Sequence, residues 1–235
     1  MKKIIIIAIA VTAIIANTAL INVCGAGEAQ NKNFVKALYK DLQGREGDAN
    51  GLTFWTDNLN KGMSKKEVAT KFLSSKEYSK KIVTKYYGWF FERQPDQGGL
   101  KYYSELVQKN NWTEREILIE FCISDEFWDK GGKNPEGYVT RLYQKLFSRK
   151  PDAGGLEYWS DQLKKGQSRK FVVEGMAKSD EYRKSFVKFM YDWYLKREPD
   201  SGGLKFYTDK MKETSERALV FLILESKEYW DKAQK

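Results

Sequence analysis

The stretch YVTRLYQKLFSRKPDAGGLEYW, residues 138–159, decides the fold because the chain contains three further copies of its pattern. The copies are FVKALYKDLQGREGDANGLTFW at 34–55, IVTKYYGWFFERQPDQGGLKYY at 82–103 and FVKFMYDWYLKREPDSGGLKFY at 186–207. Each copy ends further along in Ser-x-Glu followed by an aromatic residue. A period of about 20–50 residues is typical of repeat proteins, in which each unit buries its apolar face against its neighbours.

The four copies are not evenly spaced. The arginines of the pattern are separated by 48, 56 and 48 residues, and they are Arg45, Arg93, Arg149 and Arg197. The extra residues fall at 131–137, where the density of Gly, Asn and Pro indicates a linker. We therefore expect two repeat pairs on either side of that linker. They are residues 30–130, with copies 34–81 and 82–130, and residues 138–235, with copies 138–185 and 186–232.

The spacing of apolar residues within a copy predicts helices. In the first copy, one helical face carries Phe34, Val35, Leu38, Tyr39 and Leu42. A second helix is expected after the aspartate of the pattern, and a third after the cap residues Ser64, Thr113, Ser168 and Ser215. No segment alternates with the period of two that strands show. The predicted fold class is all-α, with four tandem three-helix repeats arranged as two pairs in a bundle or short solenoid.

The composition of the 235-residue chain limits its chemistry. It contains no histidine, which excludes Ser-His-Asp, Cys-His and HExxH active sites. The 41 basic residues exceed the 32 acidic ones by nine, and this excess suits a polyanionic partner. Because the lysines alternate with acids along the helices, we interpret the charge first as a solvated surface.

The N-terminus has the parts of a secretory signal peptide. Lys2 and Lys3 precede an apolar run, and small residues surround Ala26 and Ala29, so residues 1–29 are predicted to be removed. A retained membrane anchor and a lipoprotein acylated at Cys24 are the alternatives. We expect a secreted or cell-surface protein that touches a membrane only through a retained signal segment. Nucleic acid is not an expected partner of an exported chain.

The pattern Arg-x-Pro-Asp-x-x-Gly-Leu-x-Tyr-Trp at 149–159, with the aromatic-Val-x-x-Leu-Tyr helix before it and Ser-x-Glu-Tyr after it, resembles the bacterial domain of unknown function 4214 family. The four copies cover Phe34 to Tyr229, and Gly47 replaces the proline in the first copy. The resemblance implies helical modules of exported or cell-surface proteins, similar in part to phycobilisome linker domains. It implies a non-catalytic binding or assembly role and no particular ligand.

The recurring charged residues have a structural and a functional interpretation. As a structural signature, an arginine and a capping aspartate fix the turn in each copy: Arg45 and Asp48, Arg93 and Asp96, Arg149 and Asp152, and Arg197 and Asp200. The functional alternative is an ion site that includes a third acid, at Asp57, Glu105, Asp161 and Asp209. Calcium is disfavoured because the oxygen ligands that Asp48 and Asn50 offer together are not repeated at residues 96–99 or 152–155, and no glutamate closes a twelve-residue loop.

The glutamates of the Ser-x-Glu motifs raise the possibility of glycoside hydrolysis. That reaction needs two unlike carboxylates in one cleft, whereas this glutamate is the same in all four copies: Glu77, Glu126, Glu181 and Glu228. A charge in the first turn of a helix is the simpler interpretation. We predict no catalytic residues, no metal site and no cofactor.

Tryptophans that only the second and fourth copies carry are the candidate ligand-binding residues. Trp89 and Trp193 stand where the other copies have Asp41 and Lys145, and Trp128 and Trp230 stand where they have Ser79 and Arg183. Trp112 is a weaker candidate of the same kind. Packing between repeats is the structural interpretation, and an aromatic surface for a sugar or a partner protein is the functional one.

The sequence thus favours a secreted, non-enzymatic binding module that engages cell-envelope or extracellular polysaccharide. The alternative is a structural or assembly protein that contacts cell-surface proteins. A glycan-degrading enzyme comes third.

Overall fold

The computed structural model describes residues 27–109 and 113–235, and over these residues the chain is helical without a strand. The all-α prediction is confirmed. Residues 1–26, which include most of the predicted signal peptide and Cys24, and Trp112 lie outside the described residues. The helices are α1 (27–38), α2 (Ala49–Asn60), α3 (Lys65–Leu73), α4 (Lys76–Tyr86), α5 (Gln97–Lys109), α6 (Glu114–Ile123), α7 (Asp125–Lys130), α8 (Pro135–Phe147), α9 (Ala153–Lys164), α10 (Arg169–Ala177), α11 (Asp180–Met190), α12 (Ser201–Glu213), α13 (Glu216–Glu225) and α14 (Lys227–Ala233).

The first helix of three copies ends in a π-helical turn. These turns are Tyr39–Gln43, Tyr87–Phe91 and Tyr191–Leu195, which continue α1, α4 and α11. In the third copy, α8 ends without one. In every copy the next residue has a left-handed conformation that reverses the chain before the second helix: Gly44, Glu92, Ser148 and Lys196.

The Ser-x-Glu motif begins a helix in every copy. Ser75 caps α4, which runs on into the second copy, so the copy boundary drawn between residues 81 and 82 falls inside a continuous helix. Ser179 and α11 repeat this arrangement between the third and fourth copies. Helix α4 in the first repeat pair and helix α11 in the second therefore connect the two copies of each pair.

Between the pairs, the corresponding helix is interrupted. Helix α7 ends at Lys130, and a turn over residues 131–134 leads to α8. Asn134 caps α8 by accepting a bond from the Gly137 amide at 2.9 Å, and Pro135 occupies its first turn. The linker is thus shorter than the expected 131–137, because its last three residues belong to a helix.

The four copies share one hydrophobic core, and the last copy returns to the first. Helix α6 packs against α10, joining copies two and three, and α13 packs against α3, joining copies four and one. At the centre, Glu114 pairs with Arg217 at 3.2 Å and Glu216 pairs with Arg115 at 2.7 Å. Both carboxylates are almost fully buried, so this reciprocal pair fastens the two repeat pairs directly to each other.

No helix in the described parts of the chain is both long and apolar enough to cross a membrane.

Candidate functional site

The arginine of the repeat signature holds the turn before the second helix. Arg45 donates two hydrogen bonds to the Glu77 carboxylate, at 3.0 and 3.1 Å, and lies 3.5 Å from Asp48. Asp48 accepts a bond from the Gly51 amide at 2.8 Å and thereby caps α2. The same two-pronged arginine–glutamate contact joins Arg93 to Glu126, Arg149 to Glu181, and Arg197 to Glu228.

A tyrosine completes this arrangement and explains the glycine of the signature. The Arg45 guanidinium lies 4.8 Å from the ring centre of Tyr39, and the Tyr39 hydroxyl occupies the space beside Gly51. A Cβ atom on Gly51 would come within 2.1 Å of that hydroxyl, so only glycine fits. The equivalent glycines of the other copies face a tyrosine hydroxyl in the same way: Gly99, Gly155 and Gly203.

These contacts set the ionisation of the signature residues. Hydrogen bonding to Glu77 raises the pKa of Arg45, and the Gly51 amide lowers the pKa of Asp48. Both groups therefore stay charged at neutral pH. Each of these charged groups is paired with a residue of its own copy. Such pairs stabilise the turn, and the binding of a free ion would require them to separate.

Trp128 and Trp230 lie half-buried between repeats. The Trp230 ring centre is 5.5 Å from that of Phe34, and the Lys65 ammonium lies 3.5 Å from the indole. The Trp128 ring is 5.3 Å from Tyr138, with the Arg169 guanidinium at 4.8 Å. Both indoles thus pack on the first helix of the next pair and under a cation.

Trp193 and Trp89 also reach across to the neighbouring pair. Trp193 donates its indole N–H to the Asp41 carbonyl at 3.3 Å, and Trp89 donates to the Lys145 carbonyl at 3.1 Å. We call the boundary between copies four and one, which contains Trp193 and Trp230, the closed interface. The boundary between copies two and three, which contains Trp89 and Trp128, is the open interface.

At the closed interface Trp193 is covered. The Lys85 side-chain nitrogen lies directly on its ring, and the Lys81 ammonium lies 5.5 Å from the ring centre while donating to the carbonyls of Lys40 and Asp41. Burial, followed by the nearby Lys196 and Lys81, lowers the pKa of Lys85 to about 6.

At the open interface Trp89 is 44% exposed and borders a groove of about 880 Å³. The positions equivalent to Lys81 and Lys85 are Ser185 and Phe189, which both line the groove. Charged residues of both signs also line it, with five basic residues and three acidic ones: Lys85, Lys145, Lys184, Lys188 and Arg149, and Glu181, Asp192 and Glu198. Ser185 is too short to reach the Trp89 ring as Lys81 reaches the Trp193 ring, and the Lys145 ammonium lies 5.6 Å from the Trp89 ring centre.

The groove brings together residues that the sequence did not single out. Of the predicted ligand-binding tryptophans it contains Trp89; Trp128, Trp193 and Trp230 lie at the interfaces as described, and Trp112 lies outside the described residues. Lys184, Ser185 and Lys188 were not predicted. Ser185 and Lys81 occupy the same position of the repeat, and the difference between them in the sequence could have indicated the groove.

A second shared feature is an exposed aromatic ring on the second helix of every copy. These rings are Phe54, Tyr102, Tyr158 and Phe206, and each is more than half exposed. Each ring is the first of a pair of consecutive aromatic residues, whose second members are Trp55, Tyr103, Trp159 and Tyr207. The structure places only the second member of each pair against the core.

The described residues hold no group of three or more Asp, Glu or Cys side chains arranged to bind a metal ion.

Comparison with known families agrees with this architecture. The family model described as Domain of unknown function (DUF4214) matches the chain four times, at residues 11–82, 78–130, 118–186 and 182–233. The chain belongs to this family. The four matches confirm the four-copy interpretation. No curated protein and no solved structure matches the chain.

Proposed function

We propose that this DUF4214 chain is an exported, non-enzymatic binding module that holds a polysaccharide in the groove at the open interface. The observation that carries the proposal is the exposed Trp89 ring at the border of a groove of about 880 Å³. A volume in this range admits a few sugar units, because small-molecule sites usually measure about 300–1,000 Å³.

The position of Trp89 suits a stacking residue. Its indole N–H is fixed by the Lys145 carbonyl at 3.1 Å, so the orientation of the ring is set before a ligand arrives. A fixed aromatic ring binds at a lower entropic cost than one that must be ordered on binding. The apolar face of a pyranose ring is a natural partner for such a surface.

The charges around the groove favour an acidic polysaccharide. Lys145 and Arg149 are paired with Glu92 and Glu181, whereas no carboxylate of the described residues lies within ion-pair distance of Lys184 or Lys188, which also line the groove. Two lysines beside an aromatic ring match a polymer that carries a carboxylate on its sugar units.

Electrophoresis through gels that contain alginate, hyaluronate or neutral dextran tests this function. We expect the purified protein to be retarded by the two acidic polymers more than by dextran. Trp89→Ala and the double variant Lys184→Ala/Lys188→Ala should each lose most of that retardation.

Phe171→Ala is the matched control, because Phe171 is equally exposed at 44% but lies outside the groove. It should migrate like the unmodified protein. Full retardation of the Trp89 and lysine variants would place the binding elsewhere. Absence of retardation together with self-association in solution would favour the assembly role.

A further inference from the structure

The exposed aromatic residues of the second helices recur at one repeat position. Their side chains are exposed by 57% for Phe54, 60% for Tyr102, 54% for Tyr158 and 52% for Phe206. The residue just before them varies freely, being Thr, Lys, Glu and Lys in chain order. A single exposed aromatic residue needs no explanation, but the same one in four copies does.

Core packing does not explain these rings. Two positions later, where the helix has turned to its inner side, each copy has a small hydroxyl residue that is at most 5% exposed: Thr56, Ser104, Ser160 and Thr208. The helix thus turns a hydroxyl inward and an aromatic ring outward, the reverse of an amphipathic pattern. The outward ring must therefore contribute something other than burial.

Each outward ring is held in a fixed orientation. Phe54 makes an edge contact with Trp55 at 4.9 Å between ring centres, and Trp55 is itself packed against the core. The same edge contact is present in the other copies, at 4.9 to 5.1 Å. Because each ring contacts an aromatic neighbour that is packed against the core, it presents a preorganised surface to solvent.

The surroundings of the ring suit a sugar. One helical turn before it stands a glycine in three copies and Asn50 in the first, and nearly one turn after it stands a carboxylate. At Phe206, Gly202 leaves open a depression of about 300 Å³ that Asp209 and Lys210 also line. Hydrogen bonds from Lys205 and Lys212 lower the pKa of Asp209 to about 2, so this carboxylate is ionised at ordinary pH.

We propose that these four positions are equivalent sugar-binding sites, each stacking one pyranose unit of a polysaccharide on the aromatic ring, with polar neighbours available for its hydroxyls. The proposal deepens the proposed function and rests on it, since it assigns further sites to the same polysaccharide. A ring bordered by charged side chains suits an amphipathic pyranose better than an apolar protein surface. One such contact is weak, whereas four on one chain bind a polymer with avidity.

The test compares single, double and quadruple variants of the full chain. The quadruple variant is Phe54→Ala/Tyr102→Ala/Tyr158→Ala/Phe206→Ala. The probes are chitin, cellulose and isolated peptidoglycan in pull-down assays, and alginate and dextran in gels. We expect each single variant to weaken binding several-fold and the quadruple variant to weaken it by about 100-fold or more.

Two control variants separate ring chemistry from folding. Phe54→Tyr/Tyr102→Phe keeps an aromatic ring at both positions and should bind normally. Phe171→Ala removes an exposed ring that is not part of a second helix and should also bind normally. Circular dichroism should show the same helix content for all variants, since the altered side chains point outward.

The outcomes distinguish the two proposals. If Trp89→Ala abolishes binding and the quadruple variant binds normally, the groove is the binding site and the four-site proposal is wrong. If the quadruple variant loses binding and Trp89→Ala keeps it, the four sites bind polysaccharide and the groove does not. If the unmodified protein binds none of the five polysaccharides, both proposals fail.

Discussion

Trp89 and Trp193 occupy the same position of the repeat, and each donates its indole N–H to a carbonyl of the neighbouring pair. Their surroundings nevertheless differ, because Trp193 lies under Lys81 and Lys85 whereas Trp89 faces a groove beside Ser185 and Phe189. Two interfaces built around equivalent tryptophans thus differ in the side chains that surround those tryptophans. The residues that all copies share build the framework, and the residues that differ between copies create the space that a ligand needs.

The charged joint between the repeat pairs supports both interfaces, and breaking it should have the largest effect. Glu114→Ala would remove the buried carboxylate that pairs with Arg217 and accepts a hydrogen bond from the Tyr78 hydroxyl, which lies 2.7 Å away. We expect the free energy of unfolding in urea to fall by about 3–5 kcal/mol. Asp125→Ala, which breaks an exposed pair with Arg169, should cost less than about 1 kcal/mol.

If Glu114→Ala and Asp125→Ala were equally mild, the Glu114–Arg217 pair would not contribute to the joint between the two repeat pairs.

The two tryptophans should differ in their contribution to stability. Trp193→Ala removes a half-buried indole packed on Phe189 and Tyr194, and we expect it to cost about 2–3 kcal/mol. Trp89→Ala removes an exposed indole and should cost less than about 1 kcal/mol. Urea unfolding followed by circular dichroism measures both. Equal losses would mean that the open interface carries as much packing energy as the closed one.

Replacing Lys81 of the closed interface by serine, the residue at the equivalent position of the open interface, should make the two interfaces more alike. Lys81→Ser removes two hydrogen bonds to backbone carbonyls, at 3.0 and 2.7 Å, and exposes more of Trp193, which keeps Lys85 on its ring. We expect a loss of about 1–2 kcal/mol and stronger acrylamide quenching of tryptophan fluorescence. The added quenching should disappear in a Trp193→Phe background. Quenching that persists there would come from a different tryptophan.

Filling the equivalent position of the open interface should have the reverse effect. Ser185→Met should place a long uncharged side chain over the Trp89 ring and reduce retardation by alginate several-fold. Ser185→Ala keeps the position short and serves as its control. A Ser185→Met protein that still binds alginate fully would show that Trp89 does not need to be uncovered.

Features that depend on neighbours in the sequence could be predicted from it. The helix starts follow from Asp48 and Ser75, because each caps an amide only three residues away. The glutamate of Ser-x-Glu was interpreted as a helix-terminal charge, and the structure adds its contact with an arginine 31 to 33 residues earlier. The near-constant separation of these residues in all four copies was a signal that pairwise comparison could have revealed.

Features that depend on distant contacts could not be predicted. The return of the last copy to the first brings Tyr229 and Lys232 to the Asp41 carboxylate, at 3.0 and 2.7 Å. The sequence of a single repeat does not determine whether the last copy packs against the first. The outward direction of the exposed rings could have been predicted, because adjacent residues of a helix point about 100° apart. Phe54 and Trp55 therefore cannot both face the core.

The smallest expected effect concerns the pH dependence of the closed interface. Burial lowers the pKa of Lys85 to about 6, whereas a lysine in an unfolded chain has a pKa of about 10.4. Above the unfolded value the amine is neutral in both states and burying it carries no charge penalty. As the pH falls from there, the unfolded chain gains the proton first, so stability is lost progressively until the folded pKa is passed.

Lys85→Met should therefore be more stable than the unmodified protein by about 1 kcal/mol at pH 5, with the difference shrinking toward pH 10. Solvent around the partly exposed ammonium keeps this figure well below the ideal linkage value. Urea unfolding at several pH values measures the difference, and Lys184→Met, on the groove side, should leave the pH profile unchanged. Equal profiles for Lys85→Met and the unmodified protein would show that the ammonium reaches water, and that Trp193 is covered by a solvated cation rather than a buried one.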